Sequence, residues 1–327
     1  MNAYPVSASQ GYRSQILERR ARLEASSAAL PRAYFDDLLA EIDDALARID
    51  RGVFGFCETC NDPIEPDRLQ ANPLTRYCLD HLTRSEQKAH EQDLELAAQI
   101  QTRLLPQVCG ANGVWDAHYA YEPAGPVGGD YCELIAEEGG GVFFAVGDVS
   151  GKGVAASLLM THLSAILRSL LTLRLPLPEL MSRANRLFCE STLPAHYATL
   201  VCGRASGDCV QLCNAAHCPP ILLNGGRVER LEVGGLPLGL FFAVEYEMRT
   251  APLEKGGAIL LYSDGITEAQ SLEGADFGEE GLIASARRHA GGDASALARG
   301  VMTDVSAFLG GARPGDDRTV FAIRRAS

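Results

Sequence analysis

The sequence lacks an excess of basic residues. Its 327 residues include 42 acidic side chains against 29 lysines and arginines, which gives a formal net charge of -13. Nucleic acids and anionic membranes are bound by basic surfaces. Neither is therefore expected to be the main partner of this chain.

The sequence also lacks a long apolar run. No stretch approaches the roughly 20 apolar residues that span a bilayer, and residues 1–10 lack the charged start and apolar core of a secretory signal. These absences predict a cytoplasmic protein. Its ten cysteines are then interpreted as thiols or metal ligands, because disulfides are rare in a reducing compartment.

Regular alternation of strands and helices is missing as well, which argues against a Rossmann-type fold. The first third of the chain predicts helices at 10–30, 34–49 and 83–105 around a cysteine-containing segment. Beyond residue 108, apolar periodicity predicts strands at 114–122, 131–136, 142–149, 198–205, 209–215, 221–224, 258–263 and 318–324, and helices at 154–171, 177–193, 279–289 and 295–309. Consecutive strands joined by short turns, with helices in pairs, predict an α+β fold with a mostly antiparallel sheet.

Two pairs of metal-ligand residues lie within the cysteine-containing segment. Cys57 and Cys60 form one pair and Cys78 and His81 the other, each with two intervening residues. Zn²⁺ prefers four tetrahedral nitrogen or sulfur ligands, and this spacing is typical of zinc sites. We predict one structural Zn²⁺, because all four positions are filled by protein side chains. The alternative is that these are buried free cysteines beside a histidine.

The segment 42–82 resembles the DksA/TraR-type zinc finger, in which most members carry cysteine where this chain has His81. Some members of that family act on RNA polymerase through a long helical hairpin before the finger. Here the helix at 34–50 would reach only about 25 Å at 1.5 Å per residue. The resemblance therefore favours a docking or regulatory role, with RNA polymerase binding as the alternative.

Four short acidic motifs stand out after residue 108: GGDY at 128–131, GDVSGKG at 147–153, SDGITE at 263–268 and GDDRT at 315–319. Each places an aspartate beside a glycine or at the edge of a predicted strand. Any one of them is ordinary turn chemistry. Together they predict a cluster of carboxylates, which repel one another unless a cation is present. Such oxygen ligands favour Mg²⁺ or Mn²⁺, and a pair of these ions can activate water and bind a phosphoryl group.

Two other motif interpretations fail on detail. A phosphate-binding loop has four residues between its glycines and a Ser or Thr after the lysine. Here Gly147 and Gly151 have three residues between them, and Gly153 follows Lys152. GGDY is also part of the diguanylate cyclase signature, but the following Cys132 and Glu133 depart from it.

The order and spacing of the four motifs resemble the bacterial SpoIIE/RsbU-type branch of the PPM (protein phosphatase 2C-like) superfamily. The resemblance covers about 93–323, including YATLVCG at 197–203, NAAHCPP at 214–220 and GLPLGL at 235–240. It implies an antiparallel β-sandwich flanked by helix pairs. The implied organisation is a helical hairpin plus zinc finger at 1–82, a linker helix at 83–107 and a phosphatase domain at 108–327.

The resemblance also implies the roles of particular residues in holding two Mn²⁺ or Mg²⁺ ions. Asp148 would bridge both ions, with the carbonyl of Val149 beside it. Asp130 would bind one ion, and Asp264 and Asp316 the other. Supporting positions are Asp317, Lys152 and His217.

The function implied is hydrolysis of phosphoserine or phosphothreonine on a protein. In this branch the usual substrate is a phosphorylated STAS-domain anti-anti-sigma factor, whose dephosphorylation frees a sigma factor through partner switching. The linker helix carries an apolar stripe (Leu94, Ala97, Ile100 and Leu104), which predicts coupling of the two domains, with homodimerisation as one route. The alternatives are a transcription regulator that binds RNA polymerase through the finger and a scaffold without turnover.

Overall fold

A computed structural model of the chain describes residues 6–25, 32–82, 84–106, 114–193 and 195–326. Its contacts divide the chain into two compact units, Met1–Asp93 and Leu94–Ser327. Parts of the sequence-based ranges, namely 26–30 of the first predicted helix and 83, 107 and 108–113 of the domain bounds, lie outside the described residues.

The first unit is a helical hairpin followed by a compact loop region. Helices α1 (Val6–Ala25) and α2 (Arg32–Asp50) pair, and a short α3 (Pro66–Ala71) and a 3₁₀ turn (Leu79–His81) follow. Their shared core contains Ile16, Ile42, Phe54 and Ile64. Arg48 is 3% exposed and donates to the carbonyl oxygens of Phe56 and Thr75. A buried arginine thus joins α2 to the cysteine-containing loops.

Helix α4 (Arg84–Leu104) is the helix that the sequence predicts at 83–105. Its second half carries apolar residues at three-to-four spacing, as an amphipathic helix does. The division between the compact units falls within this helix, after Asp93.

The second unit contains two five-stranded sheets in which every strand pair is antiparallel. One sheet has the order β1-β10-β9-β6-β7 and the other β2-β3-β4-β5-β8. The strands are β1 (Trp115–Glu122), β2 (Tyr131–Ala136), β3 (Val142–Val149), β4 (Ala198–Ser206), β5 (Cys209–Ala215), β6 (Ile221–Asn224), β7 (Arg227–Arg230), β8 (Arg249–Pro252), β9 (Ala258–Tyr262) and β10 (Arg318–Arg325).

Helix pairs cover the outer face of each sheet. One pair is α5 (Gly153–Leu171) with α6 (Leu177–Ser191); the other is α8 (Gly278–His289) with α9 (Ala294–Leu309). Between the sheets, Phe144, Leu212, Ile259 and Phe321 form a continuous apolar layer. The predicted α+β sandwich flanked by helix pairs is confirmed.

Helix α5 is the one described helix that is long and apolar enough to cross a membrane by length and composition. The sequence analysis found no run of that kind. One face of the helix, including Met160, Leu163 and Leu167, is fully buried in the core with residues of α6 and the neighbouring sheet, whereas Val154 and Leu158 are exposed. The apolar composition of α5 is therefore explained by its place in the core of the second unit.

Strand pairing brings the acidic motifs to one end of the sandwich. Asp130 lies just before β2 and Asp148 near the end of β3, and Tyr131 pairs with Gly147. Asp264 follows β9 and Asp316 precedes β10, where Tyr262 pairs with Val320. Because adjacent strands run antiparallel, the end of one strand lies beside the start of the next.

Candidate functional site

The four predicted zinc ligands converge in the first unit. The ligand atoms of Cys57, Cys60, Cys78 and His81 all lie within 4.8 Å of one another. The Sγ atoms of Cys60 and Cys78 are 3.8 Å apart, and Cys78 Sγ lies 3.1 Å from His81 Nδ1. This arrangement matches the nitrogen and sulfur ligands of a tetrahedral zinc site.

Local backbone turns form both pairs of ligands. Asn61 adopts φ 65° and donates to the carbonyl of Cys57 at 2.9 Å, which closes the first turn. The His81 amide donates to the carbonyl of Cys78 at 3.0 Å, which closes the second turn. Burial raises the pKa of the Cys57 thiol, but hydrogen bonds from Cys78, Cys60 and Thr59 outweigh it and lower that pKa to about 6. The thiolate is the form that binds metal. A backbone hydrogen bond from Asp62 lowers the pKa of the Cys60 thiol, but burial and hydrogen bonds with Cys57 and Cys78 outweigh it and raise that pKa. The fit to a zinc ion therefore rests on the convergence of the four ligand atoms.

The predicted acidic residues meet at one end of the second unit. The carboxylates of Asp264, Asp316 and Asp317 raise the pKa of Asp148 through their charge, and Asp148 in turn raises the pKa of Asp130. Three or more ligand atoms within 4.8 Å occur only at the cysteine–histidine cluster in the described part of the chain. The aspartates thus lie close enough to interact electrostatically, but among the described residues they do not form so tight a group of ligand atoms.

Burial adds to the electrostatic cost of this acidic cluster. Asp130 is 2% exposed, and its pKa is raised well above its usual value, mainly by burial. Burial and the neighbouring carboxylates raise the pKa of Asp148 to about 7. The pKa of Asp264 is raised by burial and by Asp316. A bound cation would offset this cost, because it would lower the raised pKa values of these carboxyl groups and favour their charged forms.

One lysine partly offsets the negative charge. Lys152 Nζ lies 2.9 Å from a carboxylate oxygen of Asp316 and donates to the carbonyl of Gly315 at 2.6 Å. The Lys152 side chain is 63% exposed. It joins the GDVSGKG loop to the GDDRT loop at the solvent side of the cluster.

Gly129, which has no side chain, borders the cluster beside Asp148. A Cβ added to Gly129 would lie 3.0 Å from Asp148 Oδ1 and 3.1 Å from the carbonyl oxygen of Val149. Two oxygen atoms of the predicted ligand set thus face the same glycine backbone. Hard oxygen donors with little positive charge nearby suit Mg²⁺ or Mn²⁺, so the residues present fit such ions.

Asp317 contacts the backbone of the loop that carries Asp130. Its carboxylate accepts hydrogen bonds from the amides of Ala124 at 2.8 Å and Gly129 at 2.6 Å. Asp130 itself accepts a hydrogen bond from Thr319 Oγ1 at 2.5 Å. The start of β10 therefore positions the Asp130 loop.

His217 is buried behind the cluster. It is 6% exposed, and burial lowers its pKa to about 4, so it is neutral near pH 7. Thr199 Oγ1 lies 2.8 Å from His217 Nδ1 and 3.4 Å from the backbone oxygen of Asp148. These contacts connect His217 to the strand end that carries Asp148.

Two residues beside the cluster were not singled out by the sequence analysis. The side-chain amide of Gln101, on α4, donates to the Gly128 carbonyl at 2.6 Å and accepts from its amide at 3.1 Å. The hydroxyl of Tyr121 is buried and, among the described residues, has no hydrogen-bond partner. Burial and the charge of Asp317 raise the pKa of Tyr121. Gln101 falls within the segment LELAAQIQTRLLP. The apolar spacing of this segment predicted the helix, but no feature of it predicted the contact with Gly128.

Comparisons with known proteins agree with both halves of this description. Residues 138–326 match the family model "Stage II sporulation protein E (SpoIIE)", and residues 52–87 match "Prokaryotic dksA/traR C4-type zinc finger". The chain is 27% identical over 200 residues to the phosphoserine phosphatase RsbU of Bacillus subtilis, covering 60% of this chain and 59% of RsbU. The chain thus spans less than two thirds of that relative.

Solved structures share the fold of the second unit. The SiaA-PP2C domain of Pseudomonas aeruginosa superimposes with a TM-score of 0.66 at 20% identity, covering 74% of this chain and 99% of that domain. The catalytic domain of the serine/threonine phosphatase PstP, in complex with two manganese ions, gives a TM-score of 0.51 at 15% identity, covering 65% and 99%. At these identities the likeness establishes the fold. The family model spans more than half of the 327 residues, and the chain therefore belongs to the Stage II sporulation protein E (SpoIIE) family.

Proposed function

We propose that this chain is a metal-dependent protein serine/threonine phosphatase. The observation that carries the proposal is the meeting of Asp130, Asp148, Asp264 and Asp316 at one end of a sandwich with the PP2C-type fold. The relative RsbU of Bacillus subtilis is a phosphoserine phosphatase, which supports the same reaction class.

In this proposal the carboxylates of the four aspartates and the carbonyl of Val149 hold two Mn²⁺ or Mg²⁺ ions. Such ions, when bound, lower the pKa of water and stabilise charge on a phosphoryl group. The protein's own contribution is to hold these oxygen atoms on strand ends and short loops, where Asp317 and Thr319 position the loop of Asp130. Lys152 keeps the Asp316 loop in place and offers a positive charge to an incoming phosphate.

The proposed substrate is a phosphorylated STAS-domain anti-anti-sigma factor in a partner-switching pathway of the cytoplasm. Support comes from the resemblance to RsbU-type phosphatases and from the acidic composition, which suits a protein partner better than a polyanion.

The first unit is proposed to hold one structural Zn²⁺ through Cys57, Cys60, Cys78 and His81 and to regulate the second unit. In the proposed domain scheme, residues 1–82 are the helical hairpin plus zinc finger, 83–107 the linker helix and 108–327 the phosphatase domain. Homodimerisation through the linker helix is one route for that coupling. Co-purification with RNA polymerase would instead favour the alternative role of a polymerase-binding regulator, which the match to the dksA/traR finger raises.

The test is phosphate release from candidate STAS phosphoproteins with Mn²⁺ present, comparing the natural chain with Asp148→Asn. We expect at least a roughly 100-fold loss of turnover, because a carboxylate at the centre of the cluster is neutralised. Asp208→Asn, which makes the same change at an exposed turn, is the matched control and should retain activity. Turnover that survives both Asp148→Asn and removal of divalent ions would contradict the proposal.

A further inference from the structure

A cavity lies at the opposite end of the β1-β10-β9-β6-β7 sheet from the acidic cluster. It has a volume of about 490 Å³ and is formed by the β6–β7 turn, the start of β9, the end of α8 and the end of β10. Strand β10 reaches both places, since it begins at Arg318 beside the acidic cluster and carries Arg324 at the cavity. At about 3.4 Å per residue, these two positions are about 20 Å apart.

Four cationic side chains line the cavity: Arg227, Lys255, Arg287 and Arg324. No acidic residue is among the described residues that line it. The carboxylate of Glu254 approaches Gly225 but does not line the cavity. This is an unusual concentration of positive charge on a chain whose net charge is -13.

Two nearby carboxylates lie outside the lining of the cavity: Asp116 is opposite Arg324 in the β1–β10 pair, and Glu254 is beside Gly225. Nearby Arg230 and Arg249 each form ion pairs with glutamates. In contrast, none of the four cavity cations has an ion-pair partner within the part of the chain that the structure describes. Like charges brought together without counterions repel one another, so an anion at their centre would be favourable.

Backbone contacts hold the walls of the cavity in place. Arg324 donates to the carbonyl oxygens of Ala290, at 2.6 Å, and Gly292. The 255–257 turn is fixed to β10 by hydrogen bonds from Gly256 to Arg325, at 2.9 Å, and from Arg325 to Gly257, at 3.0 Å. The cationic side chains thus extend from backbone segments that hydrogen bonds hold in place. This reduces the conformational entropy lost on ligand binding.

Apolar side chains and a glycine turn also line the cavity. Leu223, Val228 and Ala258 contribute apolar surface, and Gly225 and Gly226 form the β6–β7 turn with φ 52° and 83°. Glycine at these positions allows the backbone to approach a ligand closely. A volume of this size falls within the usual range of small-molecule sites.

We propose that this cavity binds a small phosphate-bearing anion with an apolar portion, of the size of a nucleotide. Arginine and lysine are the side chains that recognise phosphate, arginine through two parallel hydrogen bonds. The apolar surface would contact the uncharged part of the ligand. The site is separate from the acidic cluster, which without cations repels phosphate.

The test measures binding of ATP, inorganic triphosphate and adenosine to the full chain by calorimetry, with no divalent ion added. ATP and triphosphate should bind saturably and adenosine should not, because the phosphates supply the charge. Arg227→Ala, Lys255→Ala and Arg287→Ala should each weaken ATP binding about tenfold, as expected for loss of a charge-assisted contact.

Arg183→Ala is the matched control, because it makes the same change in net charge at an exposed position on α6. It should leave ATP binding within about twofold of the natural chain. Circular dichroism would verify that each variant is folded. The proposal is overturned if neither ATP nor triphosphate binds saturably, if adenosine binds as tightly as ATP, or if the three cavity variants weaken binding no more than Arg183→Ala does.

Discussion

The carboxylate of Asp317 accepts hydrogen bonds from the backbone amides of Ala124 and Gly129, one on each oxygen. With both oxygens engaged in this way, Asp317 acts on the proposed metal site through the loop that carries Asp130. Its role differs from that of Asp148, whose carboxylate faces the other aspartates.

Asp317→Ala is therefore expected to weaken metal binding more than it impairs turnover. Loss of a residue that orients a metal ligand typically costs 10- to 100-fold in affinity, so half-maximal activity should require at least about tenfold more Mn²⁺. Titration of phosphatase activity with Mn²⁺ measures this shift, and saturating Mn²⁺ should restore most of the rate. An unchanged Mn²⁺ dependence, equal to that of an Asp208→Ala control, would contradict the positioning role.

At this scale the sequence singles out the acidic residues but not the contacts that hold them. Asp130, Asp148, Asp264 and Asp316 occur in short motifs with glycine, which are visible without a structure. The contact between Gln101 and Gly128 joins residues 27 positions apart. Such contacts depend on how helix and loop pack in three dimensions, and no local pattern specifies them.

Helix α4 reaches the proposed metal site through Gln101. The two hydrogen bonds to Gly128 hold the loop immediately before Asp130. A buried backbone amide and carbonyl left without these partners would cost free energy. A displacement of this part of α4 would therefore move the Asp130 loop.

Gln101→Ala is expected to reduce phosphatase activity about tenfold at limiting Mn²⁺, because the Asp130 loop loses both hydrogen bonds. Gln99→Ala is the matched control, since Gln99 is exposed on the same helix. The measurement is initial rate against Mn²⁺ concentration. Equal rates for the two variants would show that α4 does not position this loop.

Helices α8 and α9 share an apolar core and are also linked by a carboxylate. Asp304 on α9 accepts hydrogen bonds from Ser285 at 2.5 Å, Arg288 at 2.9 Å and His289 at 3.0 Å. Burial alone would raise the pKa of Asp304, but the hydrogen bonds from Ser285 and His289 and the charge of Arg288 lower it below its usual value. The folded state thus favours the ionised form.

A lowered carboxyl pKa stabilises the fold above the pKa of the unfolded chain and loses that effect as pH falls through the folded pKa. We expect Asp304→Asn to lower the free energy of unfolding by about 1 kcal/mol near neutral pH. The difference from the natural chain should shrink as pH falls below about 4. Chemical denaturation at several pH values measures it, with Asp276→Asn as an exposed control. A difference that grows with acidity would contradict the assignment.

The sequence predicted eight strands to within a residue or two and missed β7 and β8. Strand β7 has the sequence RVER, in which charge hides the alternation, and it lies at a sheet edge. Strand β8 has the sequence RTAP and lies at the other sheet's edge, where a proline is tolerated. Helix α7 (Asp264–Thr267) is too short for periodicity to appear. Edge strands and single turns depend on partners elsewhere in the chain.

For the whole molecule, the separate cores of the two units predict separate responses to zinc loss. The core around Ile42 and Ile64 surrounds the cysteine–histidine cluster, whereas the sandwich has its own apolar layers. Zinc binding is coupled to folding in sites of this kind, with free energies on the order of 10 kcal/mol.

Cys57→Ser is therefore expected to release zinc and abolish the melting transition of the first unit, while the transition of the second unit shifts by less than about 2 °C. Calorimetry and zinc analysis measure these effects. Cys209→Ser, at a partly exposed position outside the cluster, is the matched control. Under the proposed coupling, Cys57→Ser or deletion of residues 1–82 should also change turnover or oligomeric state. If neither does, the regulatory role of the first unit is wrong.

Strand β10 runs between the aspartates at its start and the arginine and lysine cavity at its far end, bonded along its length to β1 and β9. The second unit consequently has an electrical polarity fixed by its backbone. Under the two proposals, divalent cations would bind at the aspartate end and a phosphate-bearing ligand at the arginine and lysine end. A charged partner that approaches the sandwich would be oriented by this field before contact, and a phosphoprotein would be attracted to the aspartate end only once divalent cations offset the negative charge there.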